Sequence, residues 1–528
     1  MSRTSLIALV FLLQSAAGFA QPAATASVIR LTVDEAVKMA LDANPDLSAD
    51  RLAPEIGDAR VASSAGAFKP ALTLSANRNN QLLPPTSLLF PTATSNDVVT
   101  SGAGVGQQLP WFGTSYNVGW NNTHTNSNSF LNSYNPLIQS GLAFNVSQPL
   151  VKNLSIDQPR QQLASNRINR DIADTTLRES IVHTTANVKS MYWGLVAAIA
   201  NVDARKTALE LAQELVRVNK AKVDVGQSPP LDLVSAEAEV ASNQEQLIVA
   251  ETTVREVEDR LRVLIVDGSK PENWKVRLEP IDSPPAGLLA LDVDAAVANA
   301  LNDRTDLVRA RKEIQNSDLN VKYTANQKLP DVRLNASYAA SGLGGTQILR
   351  TGGFPGTIVG PGDVTSFGSV LDQLFSRNYP TWAAGVSVTY PIGQSTEEAN
   401  HARAKVERAQ AGDRLRGSEA RAIQQVRDAA WKIDMNAKRI DTTRAARALA
   451  EQRLDAERKR FDVGMSTSFL VIQAQRDLAQ ARTNELSAVL AYDLALVDFE
   501  ALQQAGPSAL SAAASIATAP VGDTSGAR

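Results

Sequence analysis

The stretch LTVDEAVKMAL at residues 31–41 recurs in the second half of the chain as LDVDAAVANAL at residues 291–301. The match continues without a gap to Leu74 in the first half and Leu334 in the second. Two further pairs of matching segments follow in the same order: 146–149 (VSQP) with 388–391 (VTYP), and 224–226 with 462–464 (DVG in both). Three matches in one order indicate an internal duplication.

Both repeats are predicted to follow one plan: a helix, a polar region with strands, a long helix, a turn that we call the tip, and a second helix. The first repeat covers 21–265, with a helix over 33–68, strands within 70–150, a long helix over 157–223, a tip at 224–230 and a helix over 231–265. The second covers 291–505, with a helix over 293–328, strands within 330–392, a long helix over 395–461, a tip at 462–468 and a helix over 469–504. Residues 266–290 link the repeats, and the tail at 506–528 is predicted to be disordered.

The long helices are indicated by the absence of proline and by apolar residues at alternating steps of three and four. In the second repeat these residues are Ile423, Val426, Ala430, Ile433, Ala437 and Ile440. This heptad spacing predicts coiled-coil packing. A helix of about 66 residues would be about 100 Å long, and the two shorter helices of each repeat, placed end to end, would match it.

Four segments alternate between apolar and polar residues, which is typical of transmembrane barrel strands but also of any half-buried strand. They are 71–80, 141–149, 331–340 and 382–391. Four strands cannot close a barrel, and an open sheet edge in lipid leaves backbone groups unpaired, so several copies must complete the sheet. The segment 99–123 leaves open whether a further hairpin joins the barrel. The loops at 81–98 and 341–380 are predicted to lie outside the cell.

Several classes of protein and site are excluded or disfavoured. Residues 1–20 resemble an export signal peptide, with a basic start and an apolar run at 6–13. The chain has no cysteine, which excludes disulfides, a cysteine-ligated metal and an acyl anchor. Its three histidines show no metal-ligand spacing, and its net charge of −3 argues against nucleic acid. No catalytic motif is present, and the glycine-rich segment 342–345 lies in a predicted loop, so we expect neither an enzyme nor a cofactor.

In this order, and duplicated, the motifs resemble the TolC-type outer membrane factors over about 30–505. The segments that carry the resemblance are LTVDEAVKMALDANPDL, FNVSQPL, VGQSPPLDLVSAEAEVA and RFDVGMSTSFLVIQAQRDLAQAR. The resemblance implies an α+β membrane protein, in which a long antiparallel coiled-coil α-barrel continues into a transmembrane β-barrel. Both barrels are then completed in a homotrimer in the Gram-negative outer membrane, extending into the periplasm. The implied partners are outer-membrane lipid, a periplasmic adaptor protein and an inner-membrane pump.

The resemblance also implies that the tips are the functional sites. Val225 and Gly226 in the first tip, and Val463 and Gly464 in the second, match the turn at which the adaptor docks. The alternative is that both glycines only cap helices, and the two roles can coexist. The residues that match the aperture are Asp232 in the first tip, and Leu470 and Gln473 in the second. Because two of these three are uncharged, strong cation selectivity is in doubt, and Asp232 can equally be a helix-capping residue.

The predicted function is a passive exit duct of a tripartite efflux or type I secretion system, gated at its periplasmic tips. The alternative is a coiled-coil protein that spans the periplasm as a structural tether without conducting. The alternating strands weigh against the tether, which would not need them. The sequence leaves open the transported substrate, the particular pump and the ion selectivity, and without the resemblance it leaves open the copy number.

Overall fold

The computed structural model of the chain describes residues 28–85, 92–129, 131–284, 291–353, 356–393 and 395–507. The predicted signal peptide lies outside these ranges, as does the predicted tail from residue 508 onward. The structure divides into two compact units. Unit 1 comprises the described residues of 1–45, 184–290 and 431–498, and unit 2 comprises those of 46–183, 291–430 and 499–528. None of the described helices is long and apolar enough to cross a membrane.

The structure divides each of the predicted N-terminal helices of the two repeats. In the first repeat, strand β1 (Val28–Leu31) precedes helices α1 (Val33–Ala43), α2 (Pro45–Asp50) and α3 (Leu52–Gly66), and in the second the helices are α6 (Val293–Asp303) and α7 (Thr305–Gln327). The first break falls at Asn44, which has an extended backbone because the proline after it disfavours the helical conformation. The second falls at Arg304, also extended, with no proline beside it. Its buried guanidinium donates to Asp306 and Gln425 instead.

The four helices that flank the tips have closely matched lengths in the two repeats. The long helices α4 (Gln158–Asp224) and α9 (Thr396–Asp462) have 67 residues each. The helices after the tips, α5 (Pro230–Ile265) and α10 (Ser468–Gln504), have 36 and 37 residues. A 3-10 turn at Pro271–Lys275 and strand β6 (Arg277–Pro280) follow α5.

Among the apolar clusters of unit 1, one lies beside strand β1 and another behind the tips. The first lies where β1 pairs in parallel with β6, and its buried residues include Leu31, Tyr192 and Leu261. The Tyr192 hydroxyl donates to the Leu31 carbonyl at 3.0 Å, and burial raises the pKa of Tyr192 to about 12. The second cluster lies behind the tips and includes Phe461 and Val471. Apolar burial of this kind is the main force that holds helices of polar surface together.

Unit 2 contains a seven-stranded antiparallel sheet, with more strands than the four predicted. From the first repeat come β2 (Ala71–Leu83), β3 (Thr94–Gln108), β4 (Ser115–Ser127) and β5 (Tyr134–Pro149), and from the second β7 (Asp331–Thr351), β8 (Thr357–Thr365) and β9 (Tyr379–Thr389). The order is β2-β3-β4-β5-β7, and β7 then pairs with both β8 and β9. The segment 99–123, left open above, forms most of β3, a turn and most of β4 in this sheet.

The second predicted loop, 341–380, is wrong over most of its length. Residues 341–351 extend β7, and β8 and helix α8 (Phe367–Phe375) follow, so the glycine-rich segment 342–345 lies in a strand. Gly342 and Gly344 make room for α8: a Cβ on Gly342 would lie 2.3 Å from the Val370 carbonyl oxygen, and one on Gly344 would lie 2.4 Å from Val370 Cγ2. The first predicted loop, 81–98, is also shortened, because β2 extends to Leu83 and β3 begins at Thr94.

The register gives the sheet two chemically different faces, because directly paired residues of antiparallel strands lie on the same face. Two rows across six strands are apolar: Leu72, Val105, Val118, Phe144, Tyr338 and Trp382, then Leu74, Ala103, Trp120, Leu142, Ala340 and Pro380. We call this side the apolar face. The rows of the opposite side, the polar face, are small or polar: Thr73, Gly104, Gly119, Ala143, Ala339 and Thr381, then Ser75, Gly102, Asn121, Gly141, Ser341 and Tyr379.

Candidate functional site at the helix-turn tips

The first tip ends α4 with a glycine in the left-handed backbone region. Gly226 has φ +74°, and its N–H donates to the Val223 carbonyl at 2.9 Å. The next residue, Gln227, donates to the Lys222 carbonyl at 2.7 Å. This pair of bonds is the Schellman motif, which satisfies carbonyls left unpaired at a helix end. No heavy atom lies within 4 Å of a Cβ built on Gly226, so conformation and not space requires the glycine.

The second tip repeats this geometry 238 positions later (464 − 226). Gly464 has φ +79° and donates to the Phe461 carbonyl at 3.2 Å, and Met465 donates to the Arg460 carbonyl at 2.8 Å. The glycine again has open space around its Cβ position. Both glycines are therefore helix caps. Because capping uses only backbone groups, it is compatible with the predicted second role of the tips in binding a partner.

The predicted aperture residues occupy three different local settings. Asp232 is half-buried in the first turn of α5, where a carboxylate is favoured by the partial positive charge of the helix end. Leu470 is 41% exposed in the first turn of α10. Gln473 lies one turn further along α10, and its side-chain amide donates to Asp477 at 2.9 Å. Gln473 is thus held against its own helix.

Two side chains of α4, which the sequence analysis did not identify, connect the first tip to the second. Asn219 is fully buried, and its Nδ2 donates to the Ser468 hydroxyl at 2.7 Å and to the Asp232 carbonyl at 3.2 Å. The Lys222 ammonium donates to the Phe461 carbonyl at 2.6 Å and lies 3.6 Å from the centre of the Phe461 ring. We call these two sets of contacts the tip link.

One sequence signal could have indicated part of the tip link. The apolar seam of α4 includes Leu209 and Val216, and three residues further along it reaches Asn219. A polar residue at a seam position is commonly retained because it fixes one packing arrangement. No comparable signal marks Lys222, whose partner Phe461 is 239 residues away.

An ion pair between a buried carboxylate and an exposed arginine lies further along the same helices in unit 1. Glu239 of α5 is 6% exposed and accepts from Arg476 of α10, at 3.0 Å from Nε and 2.6 Å from Nη2. The hydrogen bond to Glu239 raises the pKa of Arg476. Removal of Arg476 would leave the buried Glu239 carboxylate without its charged partner, which is destabilising. The helices behind the two tips are therefore held in one register.

The outer surface of both tips is apolar and exposed. Val225 and Val463, the predicted docking residues, are 68% and 70% exposed. Other exposed apolar side chains lie beside them in sequence: Leu231, Val234, Met465 and Phe469. Exposed apolar side chains clustered in this way are typical of surfaces that bind a partner. The described residues contain no cluster of histidine, aspartate and glutamate able to hold a metal ion.

The model of one protein family, described as outer membrane efflux protein, matches residues 103–265 and 296–503. These ranges cover more than half of the chain and include both tips and most of the sheet. The chain belongs to the outer membrane efflux protein family. The predicted resemblance to TolC-type outer membrane factors is confirmed.

Individual outer membrane efflux proteins are similar to the chain in sequence or in fold. The outer membrane efflux protein BepC of Brucella suis biovar 1 (strain 1330) is 27% identical over 302 residues, which are 57% of this chain and 58% of BepC. The chain thus matches less than two thirds of that relative's length. The Campylobacter jejuni CmeC outer membrane channel has the same fold with a TM-score of 0.63 at 16% identity, covering 89% of this chain and 85% of CmeC.

A second solved structure gives the same result for the fold. The outer membrane protein VceC of Vibrio cholerae has a TM-score of 0.62 at 17% identity, covering 89% of this chain and 96% of VceC. At these identities the likeness concerns the fold alone. The mixed α+β architecture of this outer membrane efflux protein, with long helices and a sheet, is therefore that of known outer membrane channels.

Proposed function

We propose that three copies of the chain associate into an exit duct across the Gram-negative outer membrane. The duct serves a tripartite efflux or type I secretion system as a passive conduit. The observation that carries the proposal is the two-faced sheet, in which apolar rows run unbroken across six strands opposite rows of small and polar residues. An apolar outer face and a polar inner face are what a barrel in lipid requires.

The edges of the sheet support closure by several copies. Among the described residues, β2 pairs only with β3, and β9 pairs only with β7. Both edge strands are exposed along their whole length. Unpaired backbone groups are costly in hydrocarbon, so each edge needs a partner. Because β2 and β9 run in opposite directions, β9 of one copy can pair antiparallel with β2 of the next. The number three comes from the family resemblance.

The helices support a long coiled-coil barrel that continues from the sheet and extends into the periplasm. Each duplicated half contributes one long helix, one tip and one returning helix, and the two tips have the same hydrogen bonds. In the proposed duct, the tips form the closed periplasmic end. The tip link holds the two tips of each copy together, so opening requires these contacts to separate.

The tips are also the proposed binding site of the partner. The exposed apolar side chains, with Val225 and Gly226 in one tip and Val463 and Gly464 in the other, provide the surface for a periplasmic adaptor that leads to an inner-membrane pump. Asp232, Leu470 and Gln473 line the aperture. With one carboxylate per copy, the aperture favours cations weakly.

The proposed duct has no catalytic role, cofactor or metal, and its membrane attachment is the barrel in outer-membrane lipid. An acyl anchor is not expected, because the chain has no cysteine to carry it. The choice of cargo belongs to the pump, since a passive conduit adds no chemistry of its own.

Single-channel recording in planar bilayers tests the proposal. The mature protein, purified from outer membranes, should give discrete current steps. Asp232→Ala should reduce the cation preference measured from the reversal potential in a salt gradient, whereas Asp224→Ala, in the last turn of α4, is the matched control at the other side of the same tip. A folded oligomer that never conducts, even when the tip link is removed, would favour the structural tether.

A further inference from the structure

We propose that the β3–β4 hairpin forms part of the pore wall, so that each copy contributes six strands and three copies enclose an 18-strand pore. The inference rests on the proposed duct function and specifies the size of cargo that the membrane end admits. The four strands predicted from sequence would give a 12-strand pore. The hairpin is therefore a determinant of cargo size that the second repeat does not duplicate.

The count of six follows from how the strands are paired. β5 and β9 lie on opposite sides of β7, because residues 333–341 of β7 pair with both. β8 pairs with residues 345–351 of β7, and Gly345 also pairs with Leu137 of β5, so β8 lies on the same side as β9. β8 thus occupies the same position in the strand order as β9, beside a different part of β7, and does not add a strand to the wall. The wall path is β2-β3-β4-β5-β7-β9.

The hairpin shares the alternation of its neighbours. Val105 and Val118 lie in the first apolar row and Ala103 and Trp120 in the second, in register with β2 and β5. A hairpin folded into the pore as a plug, or lying outside it, would not need to match the apolar rows of the wall. Its apolar positions are instead where lipid contact requires them.

On the polar face of the hairpin, glycines leave room for side chains of the adjacent strands. A Cβ on Gly102 would lie 2.7 Å from Asn121 Oδ1 and 2.9 Å from Ser75 Oγ, and one on Gly104 would lie 3.0 Å from Thr73 Oγ1. The glycines of β3 therefore accommodate polar side chains of both adjacent strands. Interdigitation of this kind holds β3 in the plane of the sheet between β2 and β4.

The turn of the hairpin is fixed at the end of the sheet nearest the helices. Gln107 Nε2 donates to the Phe68 carbonyl at 2.8 Å, and Gln108 Nε2 donates to Asp157 Oδ2 at 3.0 Å. Gln148 Nε2 of β5 donates to the Phe112 carbonyl at 3.1 Å. The hairpin is thus attached to the segments before β2 and before α4, as a wall strand would be.

The polar face also predicts how the wall treats charge. Along the six wall strands, the charged residues of the described polar face are Asp331 and Arg333, and they pair with each other at 2.8 Å. The rest are asparagine, glutamine, serine, threonine, glycine and a few apolar residues. The wall is therefore close to neutral. It would select cargo by size and not by sign of charge.

The width follows from barrel geometry. With strands about 4.8 Å apart and tilted by about 40°, an 18-strand barrel has a backbone diameter of about 36 Å, against about 24 Å for 12 strands. The largest solute that enters from outside should therefore be about 12 Å wider than in a 12-strand pore, since side chains take the same depth from both backbone diameters.

The chain has no cysteine, so single cysteines can be introduced and labelled on intact cells with impermeant maleimides of graded polymer size. Asn121→Cys places the thiol on the polar face of β4, and Val118→Cys places it on the apolar face of the same strand as the matched control. We expect labelling at position 121 and none at position 118. Equal labelling at both positions would mean that β4 is not in a membrane wall, and labelling of neither would mean that the hairpin does not line the pore.

A second comparison measures width with one reporter. Asn145→Cys on the polar face of β5 is labelled in the full chain and in a variant without residues 94–127, with outer-membrane oligomers confirmed for both. Because two strands are removed, β2 and β5 still run in opposite directions and can pair with each other, with their polar residues on the same face. The diameter of the largest reactive reagent should fall by about 12 Å in the deletion variant. If the largest reagent that reacts in the deletion variant is as wide as in the full chain, or wider, the inference about pore width is refuted. If residue 145 reacts in neither protein, the proposed duct itself is refuted.

Discussion

Asn219 gives the sharpest test of the tip link. Replacement by alanine removes the donor to Ser468 and to the Asp232 carbonyl. Asn219 is fully buried and Ser468 is 1% exposed, so water cannot readily replace the lost donor. Asn219 Oδ1 accepts no hydrogen bond from the described residues, so the hydrogen bonds lost are those that Nδ2 donates. The tip should separate more easily in Asn219→Ala.

The size of the effect follows from the two lost hydrogen bonds. Each contributes about 1 kcal/mol net, so the free energy needed to open the tip falls by about 2 kcal/mol. A loss of about 2 kcal/mol raises the open population about 30-fold, because about 1.4 kcal/mol corresponds to a factor of ten. Amide exchange at the tips, which follows the population of the locally open form, should accelerate by the same factor.

The assay is hydrogen exchange by mass spectrometry on peptides that cover 216–236 and 460–474, alongside single-channel open probability. Lys220→Ala is the matched control, because Lys220 is exposed on the same helix one residue away. A double-mutant cycle of Asn219→Ala with Ser468→Ala should give a coupling of about 1 kcal/mol. If both exchange and open probability in Asn219→Ala equal those of the control variant, the tip link does not hold the tips closed.

Three further predictions concern unit 1. Lys222→Met removes the donor to the Phe461 carbonyl while keeping an apolar stem over the ring, and should weaken the link by about 1 kcal/mol in the same exchange assay, with Lys220→Met as its control. Gly226→Ala and Gly464→Ala should each lower the free energy of unfolding by about 1–2 kcal/mol because of the positive φ, and asparagine at either position should lower it less. Equal stability of the alanine and asparagine variants in denaturant would contradict the capping role. Burial raises the pKa of Asp493 to about 6, above its ordinary value of 3.8, so the folded state binds the carboxyl proton more tightly than the unfolded state does. This proton binding contributes up to about 3 kcal/mol to the free energy of unfolding, and the contribution is complete below about pH 4 and is lost as the pH rises to about 6. Asp493→Asn should flatten the dependence of stability on pH in that window, and an unchanged dependence would show that this carboxyl is not the group that titrates.

The helices and tips were predictable because their signals are local. Heptad spacing marks α4 and α9, and a glycine after the last heptad marks each tip, whose backbone then follows from capping chemistry. The break at Asn44 was also predictable in principle, because Pro45 disfavours a helical residue before it. The break at Arg304 has no local cause. Of the two acceptors of the Arg304 guanidinium, Gln425 is 121 residues away.

The hairpin at 99–123 was left open for a different reason. On its polar face β3 presents Gly102, Gly104 and Gly106, which resemble loop residues when taken one at a time. Their role becomes clear only beside the polar side chains of β2 and β4. Gly342 and Gly344 of β7 were misassigned in the same way, because the neighbour that requires them is Val370 of α8, about 28 residues after Gly342. Glycine therefore marked tight packing where the sequence pattern indicated a turn.

The central claim is that the polar face of the sheet lines a conducting pore made by three copies. The most direct measurement is the current through single channels of Asn145→Cys during exposure to a bulky impermeant thiol reagent. The account predicts that current falls in up to three discrete steps as the three thiols react, and that Phe144→Cys, on the apolar face, shows none. A current unchanged after mass spectrometry shows complete modification of residue 145 would contradict it.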